Sequence, residues 1–229
     1  MTFQVALVGQ NGIVVASDRR VTYVTPDGVG AGHAQLTSAP KYLISADESI
    51  VCFAAGSPRA TNSARALLDE VPAFESETHW QTNLASRVNT VQGQSNDFDE
   101  VMVVRRDTMD RVWLITKMRN LSASVTPIQT RICTGTPVSS RFIASHFYKP
   151  GLSLAELQGI AALTLACASR EHPSSISREL DMMTLEEGTL SWKQLSDTRV
   201  DAVWQIFQNE SEEISSQLSS HFSSHAQSN

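Results

Sequence analysis

The chain has 229 residues, 41% of them apolar, a size that suits one domain with a sizeable core. Lys and Arg number 18 against 24 Asp and Glu, and the net charge of −6 with scattered bases argues against a nucleic-acid partner, because phosphate binding needs a basic surface. Cys52, Cys133 and Cys167 lie far apart without metal spacing, and there is neither a secretion signal nor an apolar run of membrane length, so a reduced, soluble, cytoplasmic protein with no membrane association is expected.

Alternation from Thr2 to Val8 predicts a strand, and Gly9-Gln10-Asn11-Gly12 predicts a tight hairpin into a buried strand, Ile13 to Ala16, ending at Ser17-Asp18. A further strand is expected from Arg20 to Val24, then a Gly-, Ala- and Thr-rich loop from Pro26 to Pro40. Lys41 to Ser45 and Ile50 to Ala55 form a second hairpin, turned at Ala46 to Ser49. Gly56 closes it, and Ser57-Pro58 caps a helix that runs to Val71 and ends at Pro72. A second amphipathic helix is predicted over Thr78 to Val91.

Strand patterning returns at Val101 to Val104, Val112 to Ile115 and Gln129 to Thr134, closed by Gly135. Helices follow over Val138 to Tyr148 and Leu154 to Ser169. Ser153 with Glu156 three residues on makes a capping box for the second. A strand pair, Leu180 to Leu185 and Thr189 to Lys193, turns at Glu186-Glu187-Gly188, and a helix covers Thr198 to Phe207. The segregated order of strands and helices suits one layered α+β domain over 1–209, and the Ser-rich stretch 210–229 is expected to be a frayed or disordered tail.

Thr2 is the first chemical candidate. Loss of Met1 would give it a free α-amine beside its own hydroxyl, a nucleophile carrying its own base. An α-amine titrates near about 7.7–8.0, so a useful fraction is neutral near neutral pH and can accept the hydroxyl proton. A nearby ammonium such as Lys41 would disfavour the protonated amine and stabilise a developing alkoxide. Asp18 on the adjacent strand is the natural counter-charge for that lysine. An ordinary ion pair at the rim of the sheet would also use these two residues.

The run Gly12-Ile13-Val14-Val15-Ala16-Ser17-Asp18-Arg19-Arg20-Val21-Thr22 resembles the second strand of proteasome-type β subunits, an apolar strand followed by Asp-x-Arg-x-Thr. The family's aspartate lies sixteen residues after its N-terminal threonine, as Asp18 lies sixteen after Thr2. Lys41-Tyr42-Leu43-Ile44 and Phe53-Ala54-Ala55-Gly56 resemble its lysine strand and that strand's glycine-ended partner. The resemblance is strong over the first 70 residues and looser to about 193. The stand-alone bacterial homologues, including the protease-ring partner of an unfoldase, are the nearest group.

That resemblance implies an N-terminal nucleophile hydrolase fold, a four-layer α-β-β-α sandwich with two antiparallel sheets between helix layers. It implies a threonine endopeptidase subunit in a homo-oligomer of stacked rings, enclosing peptide or unfolded-protein substrate, and leaves any unfoldase partner open. Gly56 resembles the glycine whose N–H stabilises the oxyanion, and a strand end before a helix needs glycine equally. Thr134 stands where the family has serine in a Gly-Ser-Gly turn. Glu171 and Ser174 stand for its aspartate and serine, although Ser175 and Ile176 replace the glycines that follow. Arg20, Thr22, Ala54 and Pro58 fall on the substrate side, and Pro58 lacks the N–H that could bind an extended peptide.

No cofactor is implied, and His33, His79, His146, His172, His221 and His225 lack metal spacing. Gly28, Gly30 and Gly32 open no helix and make a poor phosphate signal. A catalytically silent ring, serving as scaffold or binding chamber, and a small-molecule amidase are the other readings.

Overall fold

The computed structural model describes residues 2–23, 35–38, 40–55, 99–105, 112–117, 122–135, 138–188 and 192–195, with further helical positions between 64 and 89 and between 201 and 216. Twelve strands are described, β1 Phe3–Gly9, β2 Gly12–Asp18, β3 Arg20–Tyr23, β4 Gln35–Ser38, β5 Tyr42–Ile44, β6 Ile50–Ala55, β7 Asp99–Arg105, β8 Val112–Lys117, β9 Ser124–Ile128, β10 Arg131–Gly135, β11 Leu180–Glu186 and β12 Trp192–Gln194. Two longer helices, α1 Val138–Phe147 and α2 Leu154–Glu171, stand between β10 and β11.

The strands make two five-stranded sheets, ordered β10-β1-β2-β11-β12 and β5-β6-β7-β8-β9, and a separate ladder of β3 with β4. Pairing is antiparallel throughout these ladders. Period-two alternation explains the layering. Phe3, Val5, Leu7, Val14 and Ala16 turn to one face of the first sheet and pack with Leu157, Ala161 and Leu165 of α2. Ala6, Ile13 and Val15 turn to the other face and meet Val51, Phe53, Met102 and Val104 of the second sheet. Ile50, Cys52, Val101 and Val103 then face away, against Ala64 and Leu68 at helical positions. The result is the expected α+β architecture, helices outside two antiparallel sheets. Each fully buried Phe, Leu or Ile in these three clusters contributes about 1.5–3 kcal/mol.

Local chemistry sets the turns. The first hairpin closes with Gly9 opposite Gly12, and Gly12 has φ of 150°, a region that favours glycine. The Lys41-bearing hairpin is held by Asp47, whose Oδ1 accepts from Ser45 Oγ at 2.6 Å and the Ser49 N–H at 3.0 Å. These bonds hold its carboxyl down to about 2. The capping box forms as expected, the Ser153 N–H donating to Glu156 Oε2 at 2.8 Å and the Glu156 N–H to Ser153 Oγ at 3.4 Å.

Three differences from the sequence reading have physical causes. β9 is a strand that periodicity misses, because Pro127 interrupts it; proline is tolerated there since β9 is the edge of its sheet. β4 lies inside the expected loop and pairs with β3, from Arg20↔Ser38 to Tyr23↔Gln35. α2 runs two residues past Ser169, so Glu171 ends a helix instead of lying in a loop. The remainder of the Pro26 to Pro40 loop, and most of the helices expected near 57–71 and 78–91, lie outside the described residues.

Candidate active site

Thr2 is half-buried and immediately precedes β1. The β1–β2 register pairs Gln4 with Ser17, which brings the end of β2 level with the start of β1. Asp18 is fully buried there, and its Oδ1 accepts the Phe3 backbone N–H at 2.9 Å. The carboxylate therefore sits one backbone link from Thr2. Its Oδ2 accepts the Arg20 N–H at 3.0 Å, which fixes the turn out of the strand.

Lys41 completes this corner. It stands just before β5, and its carbonyl accepts the Ala54 N–H at 3.3 Å, so it is tied to β6. Its Nζ lies 2.9 Å from Asp18 Oδ1 and 2.8 Å from Oδ2, with the lysine side chain 7% exposed and the aspartate 0%. Burial pushes the Lys41 ammonium below the ordinary lysine range. The charge and hydrogen bonding of Asp18, and then the charge of Asp181, oppose that fall, while Arg20 adds to it.

Further buried polar residues lie near the pair: Thr134, expected from the sequence, and Gln4 and Asp181, which the sequence reading passed over. Gln4 is fully buried and spans the two sheets, donating through Nε2 to the Ala54 carbonyl at 3.0 Å. Thr134 is buried opposite Gln4 and donates its hydroxyl to Gln4 Oε1 at 3.2 Å. Asp181, also fully buried, takes Arg19 Nε and Nη2 on Oδ1, each at 2.8 Å. The signal in each case was a polar residue amid apolar strand neighbours.

Other expected residues lie at the rim. Arg20 donates to the carbonyl of Pro173, which ties the turn before Ser174 to β3. Glu171 and Ser174 are both exposed. Ile176, where the family has glycine, is buried against α2, and the Ser175 and Ile176 N–H groups both donate to the His172 carbonyl. Ala54 is half-buried and Thr22 is placed in β3, while Gly56 and Pro58 lie outside the described residues. Among the described residues no group of His, Cys, Asp or Glu is placed to hold a metal, and no helix is long and apolar enough to cross a membrane.

The chain matches no protein-family model and no curated protein. Solved structures do match its fold. Anbu (ancestral beta-subunit) from Yersinia bercovieri aligns with a TM-score of 0.73 at 13% identity, over 94% of this chain and 97% of that one. Anbu from Hyphomicrobium sp. strain MC1 gives 0.67 at 15%, over 93% and 97%. A helical assembly of the Anbu complex from Pseudomonas aeruginosa gives 0.68 at 12%, over 94% and 96%.

These neighbours correct the expected family. The structures named above are Anbu proteins, described as an ancestral beta-subunit, and not a proteasome β subunit proper. The sixteen-residue spacing from Thr2 to Asp18 follows from the antiparallel register of β1 and β2, so it marks the shared fold without separating the families within it.

Proposed function

We propose that this chain is an N-terminal nucleophile hydrolase of amide bonds, acting as a threonine peptidase subunit within a homo-oligomer. The observation that carries the reading is the buried Asp18–Lys41 pair, bound to the Phe3 N–H beside Thr2. A water-excluded ammonium of this kind stabilises a developing alkoxide far better than one in solvent. After loss of Met1, the Thr2 amine takes the hydroxyl proton, the alkoxide attacks the carbonyl, and the amine returns the proton to the leaving nitrogen. Water then releases the acyl group by the same route. Extended peptide is the proposed substrate, and the helical assembly of a fold neighbour supports self-association.

Intact mass combined with epoxyketone labelling tests this. Protein made in cells should lack Met1 and bond the reagent at Thr2, and Thr2→Ala should not bond it. Retained Met1, or labelling that persists in Thr2→Ala, overturns the assignment. A silent scaffold is the second reading, favoured by the exposure of both Glu171 and Ser174. It predicts an assembled protein with a processed N-terminus that takes no label.

A further inference from the structure

The buried ion pair at the start of β1 has a second carboxylate behind it. Asp181 lies on β11, paired in register with Ser17 on β2, and is fully buried. Along β11 it shares its parity with Met183 and Leu185, so it belongs to the face that looks toward the second sheet. Its Oδ1 takes Arg19 Nε and Nη2, and Gln194 Nε2 at 3.4 Å. Its Oδ2 has no hydrogen-bond donor among the described residues.

The two routes out of Asp181 lead to the same place. Arg19 is the chain neighbour of Asp18. Gln194 accepts from Tyr42 Oη at 3.1 Å, and Tyr42 is the chain neighbour of Lys41. One carboxylate is thus bonded, directly or through a single amide, to the residue beside each partner of the pair. A buried carboxylate retained with one oxygen unmatched costs stability, which an arrangement built for packing alone would not need.

We propose that Asp181 is a positioning residue for the Thr2 site, holding the segments that bear Asp18 and Lys41 in register through Arg19 and through Gln194 with Tyr42, and setting a second buried negative charge behind the pair. This rests on the nucleophile reading given above. The charged groups facing Lys41 are Asp18 from β2, Asp181 from β11 and Arg20 from β3, with Arg19 acting through Asp181. Removal of Met1 would add the Thr2 amine. Without the Asp181 charge, burial and Arg20 oppose the ammonium with only Asp18 against them.

Competitive acetylation across pH, read by mass spectrometry on the peptide carrying Lys41, gives that residue's titration midpoint in the full chain whether or not anything is cleaved. Asp181→Asn should lower the midpoint by about half a pH unit or more, and Asp181→Glu should stay near wild type. Arg19→Gln removes the cation on Asp181 and should move the midpoint up. It also decides the matter if Asp181→Asn does not fold. A midpoint unchanged in Asp181→Asn, or lowered in Arg19→Gln, overturns the proposal. Epoxyketone bonding at Thr2 should slow about threefold more at alkaline than at neutral pH in Asp181→Asn, the ratio that half a unit implies. A lowered midpoint with no adduct on wild-type Thr2 would sink the nucleophile reading and leave the coupling standing. An adduct with an unmoved midpoint would do the reverse.

Discussion

Lys41 meets Asp18 at both carboxylate oxygens, and the same carboxylate holds the Phe3 and Arg20 N–H groups. Three donor groups make four hydrogen bonds to one side chain that no solvent reaches. Removing Lys41 therefore leaves a buried anion with backbone partners only. Lys41→Met should cost about 3–5 kcal/mol in urea unfolding, and adding Asp18→Asn should recover part of the loss. If the double variant is no more stable than Lys41→Met, the cost comes from packing and not from the stranded charge.

The same pair sets an alkaline pH dependence. Lys41 has a lowered value in the folded chain, so the unfolded chain holds that proton more tightly. Between the folded value and about 10.4 the unfolded state binds more protons, and stability rises with pH. As pH falls through the folded value that contribution is lost. The stability of wild type minus that of Lys41→Met should therefore increase with pH over this window. A difference that narrows would show that the lysine is not held down in the fold. Adduct formation at Thr2 should decline over the same window as the ammonium is lost.

Gln4 joins the two sheets through the Ala54 carbonyl and the Thr134 hydroxyl. Gln4→Leu fills similar space but strands both groups in a buried setting. A loss of about 1–3 kcal/mol is expected, read by chemical denaturation. Thr134→Val should cost less, because it leaves the Gln4–Ala54 bond in place.

Gly12 tests the hairpin that sets the Thr2–Asp18 spacing. A Cβ at this position would lie 2.1 Å from the Leu185 carbonyl oxygen, and the backbone φ is 150°. Gly12→Ala should destabilise by more than about 1 kcal/mol, because neither the clash nor the dihedral can relax cheaply. A neutral result in thermal unfolding would mean that β11 can move away from β2.

The thiols should be slow. Burial pushes Cys52 up and Cys133 up to about 12, the latter despite Arg141 and Arg131 nearby. Cys167 is half-buried and is raised by burial and then by the Glu171 charge. Iodoacetamide near neutral pH should modify Cys167 first and Cys52 last, with all three reacting after denaturation. Rapid modification of native Cys133 would contradict the upward push that its partial burial gives the thiol.

The near side of the site was legible because it depends on register. In an antiparallel hairpin, a two-residue turn at Gln10-Asn11 brings the end of β2 level with the start of β1, so counting places Asp18 beside Thr2. Lys41 was legible through the resemblance of Lys41-Tyr42-Leu43-Ile44 to a lysine-bearing strand, and its charge is what such a carboxylate needs. Asp181 and Gln4 were not, because a sequence shows a polar residue in an apolar strand without showing its partner: Gln4 reaches Ala54, and Asp181 reaches Arg19. β4 was hidden in a Gly- and Ala-rich stretch, where side chains give no period to read. The family was misread because strand spacing is common to the whole fold.

Pro127 bears on whether a further strand could add to the second sheet. β9 is an outer strand of the second sheet, and its proline removes one backbone donor from that margin. A strand arriving from another copy would find a gap in the ladder at that point, so continuous edge-to-edge growth is interrupted there. An added strand would therefore pair less well along this margin than along an edge without proline.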